Sequence, residues 1–155
     1  MKAFYAGSFD PFTIGHLSIA VRALVMFGDL IIGIGYNESK RSENSIEKRI
    51  SHIKTLFEGI PSVTVFGYDG LTAEIAKENG AGVLIRGVRN GSEFDKEKEL
   101  ADINLQLFGI PTVMLPAEPG LSYISSSMVR ELNHFGVETT RFLASKDFLS
   151  KYKLK

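Results

Sequence analysis

The run Gly7-Ser8-Phe9-Asp10-Pro11-Phe12-Thr13-Ile14-Gly15-His16 packs a glycine turn, a hydroxyl, an Asp-Pro pair and a histidine into one short segment. Such a segment can hold phosphate. Gly7 permits a tight turn and leaves space for an anion. A helix opening near Gly15 would point free N–H groups and its positive end at that space. His16, in the first helical turn, could add an imidazole N–H. The bland alternative is a plain strand-to-helix connection with His16 on the surface. Against it stands Gly15-His16 itself, since glycine inside a helix costs about 1 kcal/mol relative to alanine.

Two further clusters carry compatible chemistry. Ser125-Ser126-Ser127 opens a predicted helix, where hydroxyls and free N–H groups suit nucleotide phosphates, although helix capping alone would also explain a serine run. Arg86-Gly87-Val88-Arg89 follows the apolar Leu84-Ile85. Two arginines around a glycine suit bidentate recognition of phosphate oxygens, whereas isolated arginines are usually solvated surface charges.

The elements that must position these clusters follow from hydrophobic periodicity. Strands are predicted at 2–6, 30–36, 63–67, 82–86 and 111–116. Helices are predicted at 15–27, from a cap at Asn44 or Ser45 with Glu47 in the capping-box position, at 71–79, 92–108 and 125–135, and from near Ser145. Alternation of this kind predicts one α/β domain spanning 1–155, a five-stranded parallel sheet with helices on both faces. Such sheets bind ligands beyond the carboxyl ends of their strands. The unusual polar segments fall there, after strands, while the segments before strands are short and plain.

Composition narrows the class. Eighteen Lys+Arg balance eighteen Asp+Glu, so no basic excess points to nucleic acid. The absence of cysteine excludes disulfides and thiolate metal sites. No apolar run approaches a membrane span, and no signal-peptide core precedes Asp10-Pro11. A soluble, cytoplasmic protein is expected.

On these residues the chain resembles the nucleotidyltransferase superfamily, with its Gly-[Ser/Thr]-Phe-Asp-Pro turn, [Thr/His]-x-Gly-His motif and Ile-Ser-Ser-[Ser/Thr]-x-[Val/Ile]-[Arg/Lys] segment, here Ile124–Arg130. Leu84-Ile85-Arg86-Gly87-Val88-Arg89 resembles the phosphopantetheine adenylyltransferase family in particular. Ser39-Lys40-Arg41, Ser45-Ile46-Glu47-Lys48-Arg49, Glu97 and Asn104 agree with it over essentially the whole chain. The resemblance implies a single-domain Rossmann-like fold and adenylyl transfer from ATP to 4′-phosphopantetheine, giving dephospho-coenzyme A and pyrophosphate. It implies His16, Lys40 and Arg89 as catalytic residues. ATP would be held by Ser8, Phe9, His16, Gly87, Val88, Arg89, Glu97 and Leu121-Ser122-Tyr123-Ile124-Ser125-Ser126-Ser127, and phosphopantetheine by Ser8, Lys40, Thr72 and Arg86. Mg²⁺ would accompany the nucleotide on phosphate oxygens and water, without an all-protein metal site. A cytoplasmic homohexamer under feedback inhibition by coenzyme A is implied as well.

There are departures. Ser8 stands for the commoner Thr, Glu47-Lys48 for two glutamates, and Thr72 for an apolar residue facing the pantetheine arm. Rival readings are a cytidylyltransferase, a nicotinate or nicotinamide mononucleotide adenylyltransferase, or a non-catalytic nucleotide sensor on the same fold. Elsewhere, His52 and His134 are expected to be structural or surface residues. Leu100, Ile103, Leu107 and Phe108 should be core, with some of them free to face the arm or a neighbouring subunit. Lys146–Lys155 should be an amphipathic helix with a solvated basic face.

Overall fold

Strand and helix alternate along the chain because short β-branched runs are separated by capped amphipathic segments. The computed structural model describes residues 1–36 and 42–154. Its strands are β1 (Lys2–Gly7), β2 (Asp29–Gly35), β3 (Val63–Tyr68), β4 (Val83–Val88) and β5 (Thr112–Pro116). Its helices are α1 (Ile14–Phe27), α2 (Ile46–Leu56), α3 (Thr72–Glu78), α4 (Gly91–Phe108), α5 (Ser126–His134) and α6 (Lys146–Ser150). All pairings in the sheet are parallel, in the order β3-β2-β1-β4-β5.

That order explains the two covered faces. The chain moves outward from β1 to β3, then returns to place β4 on the other side of β1. Right-handed crossovers made in opposite directions put their helices on opposite faces. Tyr5, Ile32 and Ile85 accordingly share one buried cluster with Leu17, Val21 and Ile53, while Phe4, Ile31 and Leu84 share another with Ala73 and Ala76. Direction reverses between β1 and β4, and the two loops leaving those ends diverge there to open a crevice.

Gly33 shows how tightly one face is drawn. A Cβ there would lie 2.4 Å from the Phe4 ring and 2.9 Å from the Tyr68 ring. The missing side chain lets Tyr68 lean across β2 until its ring meets Phe4 edge-on, centroids 5.7 Å apart.

Two expectations are corrected, and one left open is settled. Of the two candidate caps of α2, Ser45 is the one used, accepting from the Lys48 N–H at 3.2 Å. Asn44 is diverted to Asp10. Leu100, Ile103 and Leu107 are not core: they are 52%, 50% and 71% exposed, and only Phe108 of that stripe packs on the second cluster. A helical period marks an apolar face but does not say what covers it. The terminal helix ends at Ser150, after which Tyr152 and Leu154 fold back onto the first cluster. His52 bonds the Ala144 carbonyl at 3.1 Å, and His134 is exposed at the end of α5. Among the described residues no helix is long and apolar enough to cross a membrane.

Candidate active site

At the β1/β4 divergence lies a cavity of about 340 Å³, a size suited to a small molecule. The first turns of α1, α4 and α5 all border it. Gly15 and His16 of α1 and Ser125, Ser126 and Ser127 at the start of α5 line it, while α4 contributes Glu93, Lys96 and Glu97; helix starts of this kind suit an anionic ligand.

His16 is held there by its own helix cap. Thr13 N–H donates to His16 Nδ1 at 3.0 Å, and Thr13 Oγ1 accepts the His16 backbone N–H at 3.3 Å. Because a backbone N–H can only donate, Nδ1 is the acceptor and the neutral ring carries its proton on Nε2. Burial, then the charges of Arg89 and Arg86, lower the His16 pKa to about 4. At neutral pH the cavity thus receives a neutral imidazole with one N–H to give.

The loop before it is braced from several directions. Asp10 is buried, and its carboxylate accepts from the Glu43 N–H (2.9 Å), the Asn44 N–H (3.1 Å) and Asn44 Nδ2 (2.9 Å). Buried Arg49 donates to the Ser8 carbonyl at 2.6 Å, and Arg130 to the Asp10 carbonyl at 2.6 Å. Ser126 Oγ donates to the Pro11 carbonyl at 2.7 Å, tying the α5 start to this loop. Phe9 sits at φ +48°, an uncommon region for a large residue, with its ring wedged between Tyr5, Phe12 and His16. That packing corrects the reason for Gly7. A Cβ there would lie 2.7 Å from the Phe9 ring, so the glycine makes room for the aromatic wedge. Gly15 differs: an added Cβ would meet protein only at ordinary distance, 3.5 Å from Thr13 Oγ1, and the residue borders the cavity.

Arg86, two residues before the end of β4, lies beside Glu97 of α4. Its Nε and Nη2 donate to the two Glu97 oxygens at 2.8 and 2.7 Å, and Nη1 donates to the Ala6 carbonyl at 2.8 Å. Hydrogen bonding and charge from Glu97 outweigh the burial that disfavours the guanidinium, so its pKa is raised. Arg89 pairs with Glu93 through both its side chain and its backbone N–H.

A second cavity, of about 310 Å³, lies on the α3/α4 face and is bordered by Thr72, Leu100 and Asn104. Ala6, Arg86 and Glu97 border both cavities, so the ion pair is their shared wall.

The expected site residues distribute as follows. Ser8, Phe9, His16, Arg86, Gly87, Val88, Arg89, Glu97, Leu121, Ile124, Ser125, Ser126 and Ser127 border the first cavity. Gly87 and Val88 belong to β4 rather than to a following loop. Thr72 borders the second cavity only. Ser122 and Tyr123 are exposed and off the cavity walls, Tyr123 lying edge-on to Phe142. Lys40 lies outside the described residues. Glu93 and Lys96 border the first cavity without having been expected, as do Tyr5 and Thr13. Glu93 was legible as the acidic partner four residues after Arg89 on a helix start. Among the described residues no three His, Asp or Glu side chains gather to hold a metal ion.

Residues 4–132 match the cytidylyltransferase-like family. A phosphopantetheine adenylyltransferase of Porphyromonas gingivalis is 47% identical over 141 residues, covering 91% of this chain and 92% of that one. The chain belongs to the phosphopantetheine adenylyltransferase family. Enzymes of the same name from Phocaeicola vulgatus and Bacteroides thetaiotaomicron are 46% and 43% identical over 142 residues, each covering 92% of this chain and 94% of the relative. In structure the chain is similar to a bifunctional NMN adenylyltransferase/ADP ribose pyrophosphatase from Francisella tularensis, with TM-score 0.72 and 14% identity. That likeness covers 97% of this chain and 49% of the other, and it concerns the fold alone.

Proposed function

We propose that this enzyme transfers the adenylyl group of ATP to 4′-phosphopantetheine, releasing pyrophosphate and dephospho-coenzyme A. The observation that carries this reading is the pair of cavities meeting at Arg86–Glu97, one lined by the starts of α1 and α5 and the other largely apolar. ATP occupies the first cavity, and phosphopantetheine lays its phosphate toward Arg86 with its arm in the second. A phosphate oxygen of phosphopantetheine attacks the α-phosphorus. The new P–O bond forms as the bond to the bridging oxygen of pyrophosphate breaks.

The nucleophile is already anionic, so the site must align two anions and stabilise the oxygens of the α-phosphoryl group. His16 Nε2–H donates to one of those oxygens as charge builds there. Arg89, with Lys40, supplies positive charge around the phosphates. Thr72 and Arg86 hold phosphopantetheine, and the serines at the α5 start hold the distal phosphates through hydroxyl and N–H groups. Mg²⁺ carried by the triphosphate would neutralise part of its charge. Glu93 and Glu97 are engaged by arginines, which fits an ion held by nucleotide oxygens and water rather than by a protein cage.

The exposed apolar stripe of α4, with Leu100, Ile103 and Leu107, supports burial between subunits of a homohexamer. Coenzyme A carries both the arm and the adenylate, so it would compete for the two cavities as a feedback inhibitor. A cytoplasmic location accords with the lack of cysteine. The deciding experiment measures pyrophosphate release with ATP, Mg²⁺ and 4′-phosphopantetheine, beside CTP with glycerol 3-phosphate and ATP with nicotinate mononucleotide. Release with the first pair alone is expected. Release with another pair names a different transferase, and release with none leaves a nucleotide-binding module.

A further inference from the structure

Between β5 and α5 the chain borders the first cavity without a regular element of its own. It is folded there by successive turns. The Leu121 N–H donates to the Glu118 carbonyl at 3.0 Å, and the Ile124 N–H to the Leu121 carbonyl at 3.1 Å. Ala117, Leu121 and Ile124 line the cavity, so the position of this wall depends on what holds Glu118. Two side chains reach the segment from outside it. Arg22 of α1 donates to the Pro116 carbonyl at 2.6 Å and fixes the strand end. Tyr152, in the tail beyond α6, donates its phenol to the Glu118 carboxylate, 3.2 and 3.3 Å from the two oxygens. The tail is itself anchored. The Tyr152 N–H donates to the Leu149 carbonyl at 3.1 Å, its ring lies 5.9 Å from that of Phe148, and both rings pack on the first cluster with Leu154.

We infer that Tyr152 is a positioning residue for the nucleotide, holding the β5–α5 wall of the first cavity in place through Glu118; this rests on the functional reading above. Neither Tyr152 nor Glu118 lines the cavity, so the effect passes through the backbone between Ala117 and Ile124. A hydrogen bond to a charged acceptor is stronger than one between neutral groups, and a segment made of turns has few bonds of its own to replace it. Burial, with the charge of Glu118 behind it, raises the Tyr152 pKa, which keeps the phenol protonated and donating at neutral pH. The second cavity draws none of its lining from residues 117–125. Loosening this wall should therefore weaken ATP and spare phosphopantetheine.

The test measures KM for both substrates in Tyr152→Phe, which keeps the ring on the core and removes only the hydroxyl. KM for ATP should rise about three- to ten-fold, the range of one net hydrogen bond, with KM for phosphopantetheine unmoved. Glu118→Ala should do the same, and the double variant should be no worse than either single one, because each removes the same interaction. Glu118→Gln keeps an acceptor oxygen for the phenol and should retain most of the ATP affinity. An unchanged KM for ATP in Tyr152→Phe overturns the inference, as do KM values that rise together for both substrates, the mark of general loosening. Additive losses in the double variant overturn it too. Should Tyr152→Phe not fold, Glu118→Ala decides the matter from the loop side. Calorimetric titration with ATP alone repeats the comparison without turnover. An unmodified enzyme that binds ATP but is inactive with phosphopantetheine overturns the functional reading, and ATP affinity in the variants still decides the role of Tyr152.

Discussion

The Thr13 backbone N–H donates to His16 Nδ1 at 3.0 Å, and Thr13 Oγ1 accepts the His16 backbone N–H at 3.3 Å. One reciprocal pair therefore caps α1 and sets the histidine tautomer. The cap that nucleates the helix also determines which nitrogen of the ring can reach a phosphate.

Replacing His16 with Ala should lower kcat by about 10²–10³-fold, the range for losing one donor to a developing oxyanion. KM for ATP should change only a few-fold, because the contact matters mainly in the transition state. Steady-state pyrophosphate release checks both, and undiminished turnover would remove His16 from the mechanism.

Thr13→Val should separate cap from chemistry. It removes the hydroxyl that accepts from the His16 N–H and should cost about 1 kcal/mol of stability, read as a lower Tm. The backbone donor to Nδ1 remains, so kcat should fall far less than in His16→Ala.

His16 also predicts a pH effect. The folded protein protonates it near pH 4, below the ordinary 6.5, because burial and then Arg89 and Arg86 oppose its charge. Between those values the unfolded chain binds more protons. Stability should fall as pH drops from about 6.5 toward 4, by up to about 3 kcal/mol in all. Denaturation over that range should show a shallower slope in His16→Asn, and NMR should find the ring neutral at pH 6.

Arg49 supports the first loop from beneath, donating to the Ser8 carbonyl at 2.6 Å, the Asn44 carbonyl at 3.1 Å and Ser42 Oγ at 3.3 Å. Arg49→Ala would remove three hydrogen bonds and the packing of a buried side chain, while the exposed Ser8 and Ser42 could turn to water, and should cost about 1–3 kcal/mol. Chemical denaturation measures the loss. KM for ATP should rise as the Ser8 backbone loosens.

Arg86→Lys should break the two-pronged bond to Glu97, whose prongs are 2.8 and 2.7 Å. A lysine is a point charge without the planar fork. kcat/KM for phosphopantetheine should fall at least about ten-fold, equivalent to about 1.4 kcal/mol. Equal kinetics in the lysine variant would show that only charge is needed there.

By itself the sequence determined the alternation of strands and helices, within one or two residues at most ends, because apolar period and capping residues are local properties. It also determined that Gly7–His16, Arg86–Arg89 and Ser125–Ser127 lie at the carboxyl ends of strands or at helix starts, and so at one edge of a parallel sheet. Tertiary structure decided the rest, since it depends on which segments meet. Only the strand order put β4 beside β1 and brought Arg86 to the His16 cavity. Only the fold joined Arg86 to Glu97, set Arg49 beneath Ser8, and turned Asn44 from a candidate helix cap into a partner of Asp10. The apolar stripe of α4 looked like core because periodicity reports a face and not its cover, and in the folded chain it stands open. Gly7 looked like space for phosphate and is space for the Phe9 ring. The first loop named the chemistry from its residue types, while the neutral, Nε2-protonated state of His16 came from burial and from a neighbour three residues away.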